Sequence, residues 1–458
     1  MDVEILARLQ FAVTIGFHYI YPPLSIGLGV LLVIMEGMFL KTGNKVYETM
    51  TKFWVKIFSL TFAIGVATGI VMEFEFGTNW ATYSRYVGDI FGSALAAEGI
   101  FAFFLESGFL AILVFGWNKV SPKMHFFSTI MVALGSMLSA VWIVVANSWQ
   151  QTPAGYHIVG EGMQARAEIT DFWEMVFNPS SIDRLTHVLS GCWQAGAFLV
   201  LSVSAYYVLK NRHIDLSLKS IKIALILAAF ASLFQLYTGH QSAIGVSETQ
   251  PAKLAALEAH YDSSAAAALY LFGWVEDDQQ EVKFGVAIPG LLSFLISGDF
   301  NHPVTGLNAF DPADRPPVNI VFQTYHLMVA IGFALIGISL LGLFLWQRKR
   351  LEKTKWYLYI LVFSVLLPQA ANQLGWISAE VGRQPWIVYN LLRTSDALSK
   401  AVDAGQVLFS LILFAIIYIF LFALFLFLLN NKIQHGPERA DELSSEYRYQ
   451  KTIVNKGR

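Results

Sequence analysis

The chain has 458 residues, of which 55% are hydrophobic and only 14% charged, against about 25% charged in soluble domains. With a mean hydropathy of +0.52, that composition excludes an ordinary soluble domain and predicts an all-α, polytopic membrane protein. A net charge of −2 gives no argument for a nucleic-acid partner, and the single Cys192 excludes a disulfide framework or a thiolate metal cluster.

Apolar runs long enough to cross a bilayer, about 20 residues each, fall near 13–40, 53–76, 93–117, 125–147, 186–209, 220–242, 319–346, 356–378 and 405–430. They predict about nine transmembrane helices, arranged as two four-helix bundles plus one extra helix. Glutamates interrupt the third run, and Pro368, Gln369 and Asn372 interrupt the eighth. Asp2 and Glu4 precede the first run, where a cleavable signal would carry Lys or Arg. The chain therefore divides into six helices over 1–242, a long connection over 243–318, three helices over 319–430 and a charged tail over 431–458. With the N-terminus outside, the inner segments hold 21 of the 31 Lys and Arg residues, so the basic bias predicts N-out, C-in in a cytoplasmic membrane. The 243–318 connection then lies outside. It is too long for a mere connector, and a functional loop is expected.

Ionisable groups within apolar runs are functional candidates, because burying one near the bilayer centre costs roughly 2.5–3.5 kcal/mol on insertion scales. His18, His125, His187 and His326 fall in or at the ends of such runs. His18 and His187 lie near the outer ends of the first and fifth, and facing side chains of a bundle are a natural place to hold a cofactor. Met328 lies near the outer face of the seventh, where a Met and a His at equal depth would make six-coordinate haem iron; core packing is the competing explanation. Glu98 and Glu106 share the third run, about 12 Å apart along a helix and roughly 80° around it. They read as a proton relay that His125, Ser139 and Asn147 extend, or as two carboxylates bonded within a protein seam. Lys253 and Glu258 place a base and an acid five apart on a short helix of the outer loop, able to hold the hydroxyls of an amphipathic head group. Glu380 and Arg383 close the eighth run beside Pro385 and Trp386.

Five runs in order resemble subunit I of the cytochrome bd-type quinol oxidases, in the form with a short quinol loop. They are Arg8 to Phe11 with His18, Ala97 to Ser107, Ala133 to Asn147, Gln250 to Ala259, and Gly382 to Trp386. The resemblance implies a terminal respiratory oxidase that reduces O2 to water with electrons from membrane quinol and generates a proton motive force. It implies His187 and Met328 as axial ligands of a low-spin haem b. His18 would serve the oxygen-reducing haem, haem d or a third haem b, and Glu380 the high-spin haem b. Arg8, Asn147, Trp376 and Arg383 would surround the haems, Lys253 and Glu258 would meet quinol, and Glu98 and Glu106 would carry protons. A second membrane subunit, with small single-helix accessory subunits, would be the partner. One departure is His326, which stands where many members carry Arg and leaves a rival axial ligand to Met328. Two other classes fit the residues alone: a cofactor-free transporter using Glu98 and Glu106, and a haem-bearing electron-transfer anchor that never meets oxygen.

Overall fold

The computed structural model describes residues 2–438; the predicted tail lies outside the described residues from 439 onward. Among the described residues, nine spans are long and apolar enough to cross a membrane. The first apolar run is two helices, α1 (Val3–His18) and α2 (Tyr21–Thr42). Pro22 and Pro23 lack the N–H that would continue the α1 ladder, yet suit the first turn of a new helix. His18 therefore sits at the end of α1, at a break, and not inside one helix over 13–40.

Helix α3 (Lys45–Thr78) is capped by Asn44 and precedes the short α4 (Ala81–Tyr86). The third span runs from α5 (Gly88–Ala97) through a π-helical turn, Glu98–Phe103, into α6 (Phe104–Phe115). Helix α7 (Pro122–Gln151) opens on a Ser121 cap. Outside the membrane-spanning helices, β1 (Tyr156–Val159) pairs antiparallel with β2 (Arg166–Ile169), and α8 (Phe172–Val176) follows. Helices α9 (Ser181–Leu209) and α10 (Ile214–Thr249) form the next antiparallel pair. The long connection contains α11 (Pro251–Leu257), the hairpin β3 (Leu269–Glu276) and β4 (Glu281–Ile288), and α12 (Leu291–Ser297). After α13 (Val318–Gln347), the eighth span is split into α14 (Lys355–Phe363) and α15 (Leu366–Val381). Pro368 cannot donate to the Ser364 carbonyl, so the helix breaks there. Strands β5 (Trp386–Val388) and β6 (Leu392–Arg393) lead to α16 (Ala404–His435), which opens on an Asp403–Gln406 capping box.

Helix α2 packs on α3 and α7, and α9 packs on α10 and α14; the two groups meet where α2 crosses α9. That crossing is backbone on backbone. A Cβ on Gly27 would lie 2.3 Å from the Cys192 carbonyl oxygen, and one on Gly196 would lie 2.3 Å from the Gly27 carbonyl carbon. Small residues permit such approach in membranes, where dispersion between helices replaces the hydrophobic drive. Gly27→Val should destabilise the protein by about 3 kcal/mol or more, read as a lower Tm in detergent; an unchanged Tm would contradict the crossing. Helix α16 packs on α1 and α3 and turns Phe409, Phe420 and Phe427 outward, as a lipid-facing helix does.

Candidate active site

The C-terminal ends of α7 and α15 and the N-terminal end of α9 converge with α11 around one buried carboxylate. Glu380 Oε1 accepts from Asn147 Nδ2 at 3.0 Å and from Gln151 Nε2 at 3.3 Å, while Oε2 pairs with Arg383. Arg184 donates to Asn147 Oδ1. Lys253 Nζ donates to Gln151 Oε1 and Gln250 Oε1, both at 2.6 Å. Burial, with Arg184 and Arg383 nearby, holds the Lys253 amine well below the usual lysine range. Three basic side chains thus surround one acid, and buried Arg184 Nε has no hydrogen-bond partner. Buried charge requires compensation, so this cluster is built to receive further anionic groups.

His18 and His187 are held by the same device. His18 Nδ1 lies 2.9 Å from Thr68 Oγ1, whose hydroxyl donates to the carbonyls of Ile64 and Gly65. The imidazole must therefore supply the proton to Thr68, which leaves the lone pair on Nε2. His187 Nδ1 lies 3.1 Å from Thr238 Oγ1, which donates to the Gln235 carbonyl; its Nε2 faces the Gln235 amide nitrogen at 2.9 Å. A glycine follows each threonine. A Cβ on Gly69 or on Gly239 would stand 3.3 Å from Cε1 of its histidine. The two sites thus share one construction, which no sequence repeat announced.

Met328 lies ten residues into α13, about 15 Å along the axis. A Cβ on Gly375 of α15 would stand 2.7 Å from its Sδ. His326 faces the Phe322 carbonyl with Nδ1 at 2.9 Å and the Tyr270 carbonyl with Nε2 at 2.8 Å. Both nitrogens are turned to backbone carbonyls in this position, although a neutral ring donates to only one of them.

The two span glutamates do not occupy neighbouring faces as an ideal helix predicts. The π turn between them adds a residue to the coil, and both carboxylates meet one face of α7. Ser139 bonds Glu98 and Ser136 bonds Glu106. Gly135 permits this contact, since a Cβ there would lie 2.9 Å from that of Glu106. Near the N-terminal end of α7, His125 Nδ1 meets Glu36 Oε1 at 2.6 Å and its Nε2 meets the Leu113 carbonyl at 3.1 Å, while Thr129 donates to Glu36 at 2.5 Å. His125, Thr129, Ser136, Ser139 and Asn147 lie within about 40° of one line on α7.

Lys253 and Glu258 do not converge. Five residues turn a helix by about 140°, so Lys253 faces the Glu380 cluster while Glu258 faces α13. Glu258 Oε2 has no hydrogen-bond partner and stands 4.0 Å from His326 Nε2. Burial pushes its carboxyl up to about 8. Arg8 lies apart from the cluster, 3.9 Å from Glu4, and Trp376 stacks on Tyr19 with ring centroids 5.8 Å apart. Sequence reading missed Arg184, Gln151, Glu36 and the two threonines. Arg184 stands three residues before His187, hence on its face, and the Thr-Gly doublets were visible as text.

Fold and site together define a multi-pass membrane protein with histidine, methionine and ionisable side chains gathered between its helices. The chain belongs to the cytochrome bd terminal oxidase subunit I family, whose model matches residues 6–437. It is 38% identical over 448 residues to the cytochrome bd ubiquinol oxidase subunit 1 of Bacillus subtilis (strain 168), covering 96% of this chain and 95% of that one. It is 35% identical over 502 residues to the cytochrome bd-II ubiquinol oxidase subunit 1 of Escherichia coli (strain K12), with 95% and 97% covered. The bd oxidase structure from Geobacillus thermodenitrificans superposes with a TM-score of 0.88 at 29% identity, covering 95% of this chain and 99% of that chain. The protein is thus a multi-pass bacterial membrane protein, and its family implies haem cofactors.

The residues fit that group. No three His, Cys, Asp or Glu side chains gather as a metal site among the described residues. Three of the four candidate ligands, His18, His187 and Met328, lie against a glycine, and the surplus of basic groups at Glu380 suits propionates.

Proposed function

We propose that this chain is the catalytic subunit of a terminal respiratory oxidase that oxidises membrane quinol and reduces O2 to water, working with a second membrane subunit and small single-helix accessory subunits. The observation that carries this reading is the matched pair of histidines, each fixed in one tautomer by a threonine and flanked by a glycine. His187 and Met328 would hold a low-spin haem b. His18 would hold the oxygen-reducing haem, haem d or a third haem b, and Glu380 would hold a high-spin haem b. Haem supplies one-electron transfer and the iron at which O2 is reduced. Arg383, Asn147, Trp376 and Arg8 orient these groups, with Arg184 added by its contacts.

The remaining steps belong to protein side chains. His18 and His187 lie at the end of the bundle opposite the basic inner loops, so protons for water come from inside. The face of α7 supports their route: Glu36 and His125 at the inner end, then Ser136 with Glu106, then Ser139 with Glu98. Carboxylate and histidine chains mark proton paths in membrane proteins, and each charge moved against the membrane potential stores about 2.3 kcal/mol per 100 mV. Quinol gives its protons up on the outer side, at the 243–318 loop, where Glu258 is the base.

A reduced-minus-oxidised spectrum of the purified protein, with and without CO, tests the reading. Bands of both low-spin and CO-reactive haem are expected. A protein without a Soret band would be a transporter, and one without CO binding would be an electron-transfer anchor.

Glu258 sets a pH dependence. Because burial raises its carboxyl to about 8, it is mostly neutral at pH 7 and becomes a base only as pH rises. Quinol oxidation should therefore climb between about pH 7 and pH 9, and Glu258→Gln should lose that limb; a variant that keeps it would remove Glu258 from the role. The linkage runs the other way for stability. Folding favours the protonated form, so stability falls as pH rises from 4.5 through about 8.

A further inference from the structure

We propose that Gln151 is a positioning residue that ties the outer loop to the Glu380 centre, so that Lys253 acts on that centre through Gln151 and not on quinol directly. The inference rests on the reading of Glu380 as a haem ligand given above. Gln151 ends α7 between two polar groups of opposite kind. Its carbonyl oxygen accepts from Lys253 Nζ at 2.6 Å, and its amide nitrogen donates to Glu380 Oε1 at 3.3 Å. Only one orientation of the amide serves both partners, because the reverse would aim its NH2 at a donor and its oxygen at a carboxylate. Its backbone is held as well, since Gln250 Nε2 donates to the Gln151 carbonyl at 3.0 Å. Gln250 also accepts from Lys253 Nζ, at 2.6 Å. Lys253 itself is 4% exposed, and a Cβ on Gly382 would stand 3.2 Å from its Cγ. The side chain is thus clamped between α7 and α15 with its amine turned inward. Glu258, on the other face of α11, keeps an unpartnered oxygen and remains the loop group placed to meet a quinol hydroxyl.

Lys253 polarises the Gln151 amide, and the amide withdraws electron density from the Glu380 carboxylate. Removing either donor makes that carboxylate a better ligand for ferric iron. The test is a redox titration of the purified protein without quinol, so turnover plays no part. Glu380→Gln identifies the band that depends on this ligand; if it alters no band, the ligand reading fails and the bridge with it. With the band identified, Gln151→Met and Lys253→Met should each raise its oxidised-to-reduced ratio at fixed potential by about fivefold. The double variant should shift it no further than the larger single change. Should Gln151→Met fail to assemble, Gln151→Glu keeps the acceptor for Lys253, loses the donor to Glu380 and should shift the band in the same direction. A band that Lys253→Met leaves in place while the quinol KM rises would make Lys253 a direct quinol contact and overturn the proposal. Fully additive shifts would overturn it too, because they would mean two independent effects.

Discussion

His187→Ala should yield an assembled protein from which the low-spin haem band is missing, with quinol-driven oxygen uptake reduced at least about a hundredfold. His187 is held from α10 by Thr238 at 3.1 Å, so its ring is aimed before any ligand arrives, and a bound iron gains that preorganisation. Alanine supplies no donor of its own, and His326, the other imidazole expected near this site, has both nitrogens turned to backbone carbonyls. The His18 band should survive, because His18 is oriented by Thr68 on α3, a helix of the other bundle. Met328→Leu should act differently, leaving a five-coordinate haem that binds CO after reduction. His326→Gln should keep the low-spin band. An unchanged reduced spectrum in His187→Ala would remove His187 from the ligand set. Loss of the same band in His326→Gln at normal haem content would restore the rival axial pair.

The spans were legible because the bilayer imposes them: a helix must satisfy its own backbone and present about 20 apolar residues. Departures from regular helix were less legible. The α1–α2 break could have been read from Pro22 and Pro23, but an apolar run on both sides conceals a turn. The π turn at Glu98 has no composition signature, and it decides that both glutamates reach one face of α7. Of the candidate site, the residues in distinctive runs were readable, whereas Arg184, Gln151 and Glu36 were not. Each of these acts through a partner far along the chain, such as Gln151 with Glu380 or Glu36 with His125, and no local pattern records such pairs. Lys253 and Glu258 teach the opposite lesson. Their spacing alone places them about 140° apart, and they accordingly meet different neighbours, Gln151 for Lys253 and His326 for Glu258.

Glu106→Gln should lower turnover by about a hundredfold or more while every haem band stays in place. The side chain is 6% exposed and receives the Ser136 hydroxyl across the α6–α7 seam. Glutamine has nearly the same shape and can still accept from Ser136, so packing survives and only the capacity to take up and release a proton is lost. Glu106→Asp retains that capacity on a shorter arm and should recover part of the rate, which a purely structural role would not permit because the cavity would be larger. Glu36→Gln lies further from the redox groups, beside His125 and Thr129. It should slow turnover less, since water from the inner surface can reach the same depth. In both variants a proton-transfer step becomes limiting, so the solvent deuterium isotope effect should rise above that of the parent protein. Full oxygen uptake in Glu106→Gln would leave the α7 seam a packing feature and move the proton route elsewhere in the complex. Loss of haem alongside activity would mean the carboxylate holds the bundle together and carries no protons.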